Sequence, residues 1–372
     1  MKVLTGGTLG KAPDALYFLR GHEAGVQALA FSAYNSTTTL ASGDANGEIR
    51  IWDLDRRRAS HTFDAHAGKG VLSITGYEAN DYRLVSQGRD ESVKIWDLHG
   101  AQHAVVGWIT TGAIDFCRAD YLPSHKWVAT TCAMPGDLKI WDTSTKREMC
   151  TLQAPTSDAS GQERVIELGG SGLPTDSPPR KHTDASDSLG MGSGSTGGGR
   201  GMCMSVRLFL HPLTQRPMAL AGYEDGSVHL HDIGERKAVC YTKPHSEPVM
   251  TLDIATDATG FTTGSVDNIA YQVSLKLKGD GKASMKGKLT YEMPTPGIND
   301  ILIRQDKKIV VTGGWDGNVR IFSYRKGTPL CVLSRHRDSV QTLASYNCVG
   351  SGWLLAAGSK DRNISLWSVY ND

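Results

Sequence analysis

The sequence predicts an all-β fold in which one four-stranded unit repeats around a ring. Three observations carry this. The tripeptide Ile-Trp-Asp stands at Ile51-Trp52-Asp53, Ile95-Trp96-Asp97 and Ile140-Trp141-Asp142, at spacings of 44 and 45 residues. Turn dipeptides such as Asn46-Gly47, Asp225-Gly226 and Asp316-Gly317 precede short apolar runs. Between them lie further short strands with the period-2 alternation of Val319-Arg320-Ile321-Phe322. A period of about 40–45 residues, with a turn and then a strand ending in Trp-Asp, marks a β-propeller blade.

The units can be followed in order. Blade one has Gly21-His22, Val26 to Phe31, Leu40 to Gly43 and Ile49 to Trp52. Blade two has His66, Leu84 to Ser86, Asp90 and Val93 to Trp96. Blade three lacks the His and has Ile114 to Phe116, Val128 to Thr130 and Leu138 to Trp141. Blade four has Val206 to Leu210, Leu220 to Gly222 and Val228 to Leu230, with His231 in the Trp place. Blade five has His245, Val249 to Ile254, Thr262 to Gly264 and Ala270 to Val273. Blade six has Ile298 to Ile303, Ile309 to Thr312 and Val319 to Phe322. Blade seven has His336, Val340 to Leu343, Leu354 to Gly358 and Ile364 to Trp367.

From Trp141 to His231 the interval is 90 residues, about one blade too long. Composition explains it. Residues 155–201 are rich in Gly, Ser, Thr, Asp and Pro and show no alternation. Such a stretch cannot offset its own ordering entropy, so it is expected to be a disordered Gly/Ser-rich insert between blades three and four. Gly192 to Gly197 in it fits G-x-G-x-x-G, but with neither strand before nor helix after, it reads as linker. The seventh blade lacks a fourth strand, and Leu16-Tyr17-Phe18-Leu19 can supply it and remove the open edges. The expected organisation is a tail over 1–14 and one seven-bladed propeller over 15–372.

In blade two, His66, Ser86, Asp90 and Trp96 resemble the WD40 tetrad, in which Asp, His, Ser and the indole N–H bond in a chain. Such networks stabilise only when every member is satisfied. Blades three, four and six lack the His and are expected to rely more on apolar packing. The Val and Ile of each third strand are expected to face a neighbouring blade, and its Lys or Arg to face outward.

Composition excludes several function classes. A formal net charge of +1 argues against direct nucleic-acid or membrane binding. No signal-peptide h-region and no membrane-length apolar run are present. Seven Cys without a C-x-x-C pair read as reduced thiols of the nucleus or cytosol. Recurring His and Asp residues belong to different blades, so no catalytic residue, metal or cofactor is expected. The protein reads as non-enzymatic, and as a monomer on its own.

Candidate interface residues precede the turn aspartates: Arg89, Glu224, Trp315 and Lys360, with Tyr223 beside Glu224. In propellers these turns ring the face near the central channel. Aromatics and Arg dominate interface energetics, although a rim Trp can also be structural cover. A second candidate is the blade-five hairpin with Lys276, Lys278, Lys282, Lys286 and Lys288 against Asp280, which could dock an acidic partner or be a solvated turn.

Several stretches resemble one family in particular. They are Gly222-Tyr223-Glu224-Asp225-Gly226-Ser227-Val228, His245 to Met250, Gly314 to Phe322, Ala356 to Trp367 and Ser86 to Asp90. Together they are similar to the ASTRA-associated protein 1 family, whose animal relative is G-protein beta-subunit-like protein 1. The resemblance implies a non-enzymatic scaffold subunit of the nuclear ASTRA assembly. It implies roles in chromatin remodelling and in the stability of phosphatidylinositol-3-kinase-like kinases, with helical-repeat co-chaperones as partners. Two alternatives stand beside it. A G-protein β-like subunit would need an N-terminal heptad helix, which Gly6, Gly7, Gly10 and Pro13 oppose. A phospho-peptide reader would need converging arginines, for which Arg89, Arg337 and Arg362 are candidates.

Overall fold

A computed structural model describes residues 13–34, 37–76, 81–99, 103–113, 115–154, 201–348 and 352–369. The expected tail up to residue 12, Ile114 and the insert over 155–200 lie outside the described residues. Among those described there is no helix. Their strands form seven antiparallel four-stranded sheets, and each inner strand packs on the inner strands of its two neighbours, closing a ring.

Blade two shows how sequence makes a blade. Val71–Gly76, Arg83–Gly88, Ser92–Asp97 and Ala104–Thr110 run from axis to rim. Successive side chains of the third strand point to opposite faces. Val93 and Ile95 pack with Tyr121 and Val128 of blade three, while Trp96 packs with Ile49, Ile51 and Phe63 of blade one. Because a neighbour covers each face, Lys94 does not face outward. Its Nζ donates to the Ala65 carbonyl (2.7 Å) and to Asp90 (2.9 Å). The corresponding Arg320 is buried as well. A bulge recurs just before the Trp position, at Ile51/Trp52, Ile95/Trp96 and Ile140/Trp141. Bulges add local twist, which lets each outer strand splay at the rim.

The ring closes through the N-terminal strand. Tyr17–Leu19 pairs antiparallel with Ile364–Ser368, with Leu19 opposite Ile364, as the outer strand of blade seven. Leu19 is buried with Trp52, Ile364 and Leu366, tying blades seven and one together.

Blade three differs from expectation. Its inner strand is Asp120–Leu122, not the run ending at Phe116. Cys117 and Tyr121 go into the core, whereas Phe116 stands out on the surface, 61% exposed. Ala154 and Gly201, the described residues on either side of 155–200, both lie against Gly136. A Cβ on Gly136 (φ +85°) would lie 2.8 Å from both the Ala154 Cβ and the Gly201 carbonyl oxygen, so only glycine fits there.

Candidate functional site

The turns after the second strands share one geometry. Their first residue bonds back to the residue that enters the inner strand of the same blade. Arg89 N donates to Gly70 O (2.9 Å), Glu224 N to Met202 O (2.9 Å), Trp315 N to Gly297 O (3.1 Å) and Lys360 N to Ser339 O (3.0 Å). All four are therefore brought to one end of the ring, around the channel mouth. All four are solvent-exposed.

Each is used differently. The Trp315 ring lies over Gly297, where a Cβ would come within 2.1 Å of it, and its Nε1 donates to Asn299 Oδ1 (2.7 Å). Asn299 in turn donates to Val340 O (2.9 Å) of the next blade. Trp315 remains 45% exposed, so one flat face is fixed and the other is open. Arg89 stacks on the Phe116 ring, 4.7 Å from its centroid. Glu224 is committed to its own chain, its carboxylate accepting from Met202 N (3.0 Å). Lys360 has no ion-pair partner among the described residues.

Tyr223 must be removed from the interface set. It is fully buried, packed with Cys117, Leu138 and Cys203 between blades three and four. Blade two shows the reason. There the matching position is Gly88, and a Cβ on it would meet the His66 ring at 2.2 Å. Among the described residues blade four has no such His, and the Tyr223 phenol is buried at that position. Its hydroxyl lies 3.5 Å from Nε2 of His231 and its ring meets His229 edge-on. Burial raises the Tyr223 hydroxyl far above its ordinary value and holds the His231 imidazole down to about 4. The phenol is thus the donor and the neutral imidazole the acceptor.

The channel itself is a cavity of about 250 Å³ lined from all seven blades, among them by Gln27, Leu72, Arg118, Met204, Met250 and Asn299. Its charged residues Arg118, Arg207 and Asp300 are paired, whereas the buried Gln27 Oε1 has no hydrogen-bond partner among the described residues. Arg118 meets Asp300 at 3.1 Å and donates to Gln341 O. Arg207 bridges Asp120 (3.4 Å) and Asp253 (3.3 Å). Burial raises both aspartates despite the Arg207 charge. These carboxylates also lock blades together. Asp120 accepts from Leu208 N (2.6 Å), Asp253 from Ile303 N (2.7 Å) and Asp300 from Leu343 N (2.7 Å), each a strand of another blade.

In blade two, His66 Nδ1 meets Asp90 at 2.8 Å, His66 Nε2 meets Ser86 Oγ at 2.8 Å, and Trp96 Nε1 donates to Ser86 Oγ at 2.9 Å. Burial alone would raise the Asp90 carboxyl. The bonds from His66, Ser92 and Lys94 outweigh it and hold Asp90 well below the usual range. Two further chains that reach a Trp form in blades one and seven, and a shorter one in blade five joins His245 to Thr263 (3.0 Å) and Asp267 (3.0 Å). In blade one, His22 joins Ser42 (2.6 Å) and Asp44 (2.9 Å), with Trp52 Nε1 on Ser42 (2.7 Å). The acid follows its serine by two residues rather than the four of blade two. In blade seven the hydroxyl has crossed strands. Ala357 holds the serine position, and Ser365 opposite it accepts from Trp367 Nε1 (2.9 Å) and meets His336 (2.7 Å). Blade six has a polar substitute where apolar packing was expected: Asp316 takes two bonds from Arg320, at 3.0 and 2.5 Å.

His22, Asp44 and Glu48 lie close enough to suggest a cation site. Both nitrogens of His22 are engaged in the chain just described, and Glu48 is held by Arg50 at 2.5 Å, so the group reads as structural. Nothing in the channel assembles an activated nucleophile or an open metal site among the described residues. The arrangement is a rigid disc with an aromatic and cationic mouth, suited to holding another protein.

These features define the class of WD-repeat propellers. Residues 14–53, 57–97, 287–323 and 327–368 match the family described as WD domain, G-beta repeat. Each match spans the outer strand of one blade and three strands of the next, the same offset by which the ring closes. The chain is 33% identical to mouse guanine nucleotide-binding protein subunit beta-like protein 1, over 96% of this chain and 97% of that one. It is 27% identical to ASTRA-associated protein 1 of Verticillium alfalfae, covering 98% and 94% of the two chains. With its Schizosaccharomyces pombe counterpart the identity is 26%, covering 96% and 99%. The chain belongs to this family of ASTRA-associated protein 1 and guanine nucleotide-binding protein subunit beta-like protein 1 propellers, and it is an adaptor propeller acting through protein–protein contacts.

Proposed function

We propose that this chain is a non-catalytic scaffold subunit of an ASTRA assembly in the nucleus, and that it contributes to chromatin remodelling and to maturation of phosphatidylinositol-3-kinase-like kinases. The observation that carries this is its likeness to proteins named ASTRA-associated protein 1 along nearly the whole length of both chains. The channel mouth, with Trp315, Phe116 and Arg89, is the surface that supports it best: exposed aromatics and arginine held rigidly are the residue types that concentrate binding energy.

Affinity purification from native cells tests the reading. Wild type is expected to recover kinase co-chaperones and the kinases themselves. Trp315→Ala with Phe116→Ala is expected to lose most of that recovery while melting like wild type. Failure of the wild type to recover any such component would remove the assembly reading and leave only an adaptor propeller. A second reading, a G-protein β-like subunit, has the name of the mouse relative in its favour. Against it, the segment Tyr17–Leu19 is a strand of blade seven rather than part of a pairing helix. A stable complex with a γ chain would reverse that order.

A further inference from the structure

At the end of the ring opposite the channel mouth, blades five and six carry a cluster of cations, most of which have no ion-pair partner among the described residues. Turns between third and outer strands lie there, because antiparallel strands place alternate turns at opposite ends. The blade-five hairpin, Ile269–Leu277 with Ala283–Glu292, has the longest third and outer strands of the described blades. Its register puts Lys276 opposite Ser284 and Lys286 opposite Ser274. Both lysines are therefore on one face, with Lys278 and Lys282 at its tip. The other face, Leu275 and Met285, is buried against Phe209 and Met218 of blade four. That burial fixes which side the lysines present.

A second element joins them. Gly327 of blade six sits on Leu289, where a Cβ would lie 3.0 Å away. This seats the turn carrying Arg325 and Lys326, both exposed, beside the lysine face. Lys288 stretches across to the Tyr324 ring, 5.5 Å from its centroid, and joins the two elements. The nearby acids are already taken: Asp280 by Lys282 (3.5 Å), Asp306 by Arg304 (2.8 Å) and Asp257 by Lys307. Lys276, Lys278, Lys286, Arg325 and Lys326 have no ion-pair partner among the described residues.

We propose that this surface docks an extended acidic segment of a partner protein, a tract rich in Asp and Glu. The chain as a whole carries only +1, so the cluster is a local segregation of charge and not a general basicity. Lysines on an outer strand guard against edge pairing. That role accounts for Lys286 but not for Arg325 and Lys326, which lie on a separate turn. Exposed aromatics suited to base stacking are absent from the described residues of the patch, since Tyr324 is buried. A nucleic acid would thus be held by phosphate charge alone, without the stacking that single-strand binders use.

The test uses the full chain and a fluorescein-labelled poly-glutamate peptide, read by anisotropy. Lys276→Glu with Lys286→Glu, and separately Arg325→Glu with Lys326→Glu, are each expected to weaken binding by about tenfold or more. Added salt should weaken wild-type binding in the same way. Arg56→Glu with Arg58→Glu, on the equivalent turn of blade one, should leave it unchanged. Thermal melts establish that every variant is folded. Two results overturn the proposal. One is peptide binding that both patch variants leave intact, or no binding at all. The other is tighter binding, through the same residues, of a single-stranded oligonucleotide or of phosphatidylserine vesicles, which would make the patch a phosphate site.

Discussion

His231 stands where blade two carries Trp96, and its environment makes a testable acid sensitivity. Burial lowers its folded pKa to about 4 from an ordinary 6.5. The unfolded chain therefore takes up the proton first as pH falls. The stability tied to neutral His231 is fully present above about 6.5 and is lost progressively down to about 4. Its full size is about 3 kcal/mol. Denaturant melts at pH 7 and near pH 4 should show this fall in the wild type and a smaller one in His231→Phe. An equal fall in both would assign the acid sensitivity to other groups. The same neighbourhood explains why Tyr223 was misread. Its place beside the exposed Glu224 suggested a surface residue. What decides its position is a vacancy left by a missing histidine, and no local pattern announces a vacancy.

At the scale of the element, third strands were the most legible part of the chain. Trp-Asp after an alternating run fixes both strand and register, and the turn glycines mark where each begins. Inner strands were harder to place. They border the channel and vary from three to nine residues, and in blade three an apolar residue just outside the strand, Phe116, mimics its start. Tetrads were legible only where the spacing of blade two recurs. Blade seven shows that a tetrad is a set of atoms in space and not a spacing. Ser365→Ala should strand His336 and Trp367 Nε1 and cost about 1–3 kcal/mol in urea melts. Adding Ala357→Ser, directly across the strand pair, should recover part of that loss. If the double variant is no better than the single, the hydroxyl's position matters more than its presence.

At the scale of the whole molecule, stability rests on closure. Blades seven and one are joined by a strand from one end of the chain that completes a sheet from the other. Removing residues 1–20 takes away the buried Leu19 and bares the edge of Ile364–Ser368. The loss is expected to be about 3 kcal/mol or more, since burial of a large apolar side chain and a strand edge go together. A thermal scan should show it across the entire transition rather than as a separate early step. Size exclusion should show concentration-dependent association through the open edge. A truncated chain that melts like the full one would mean that closure is not what holds the ring.

The placing of Ala154 and Gly201 side by side against Gly136 has a consequence for how this propeller tolerates change. Two anchor points held against the same residue, Gly136, impose one closure whatever lies between them, and the entropy of that closure grows only with the logarithm of length, about 0.6 kcal/mol per doubling. Length between blades three and four is thereby uncoupled from the cohesion of the disc. A lineage can lengthen or rewrite that stretch, and an engineer can graft a whole domain into it, while the seven blades keep their register.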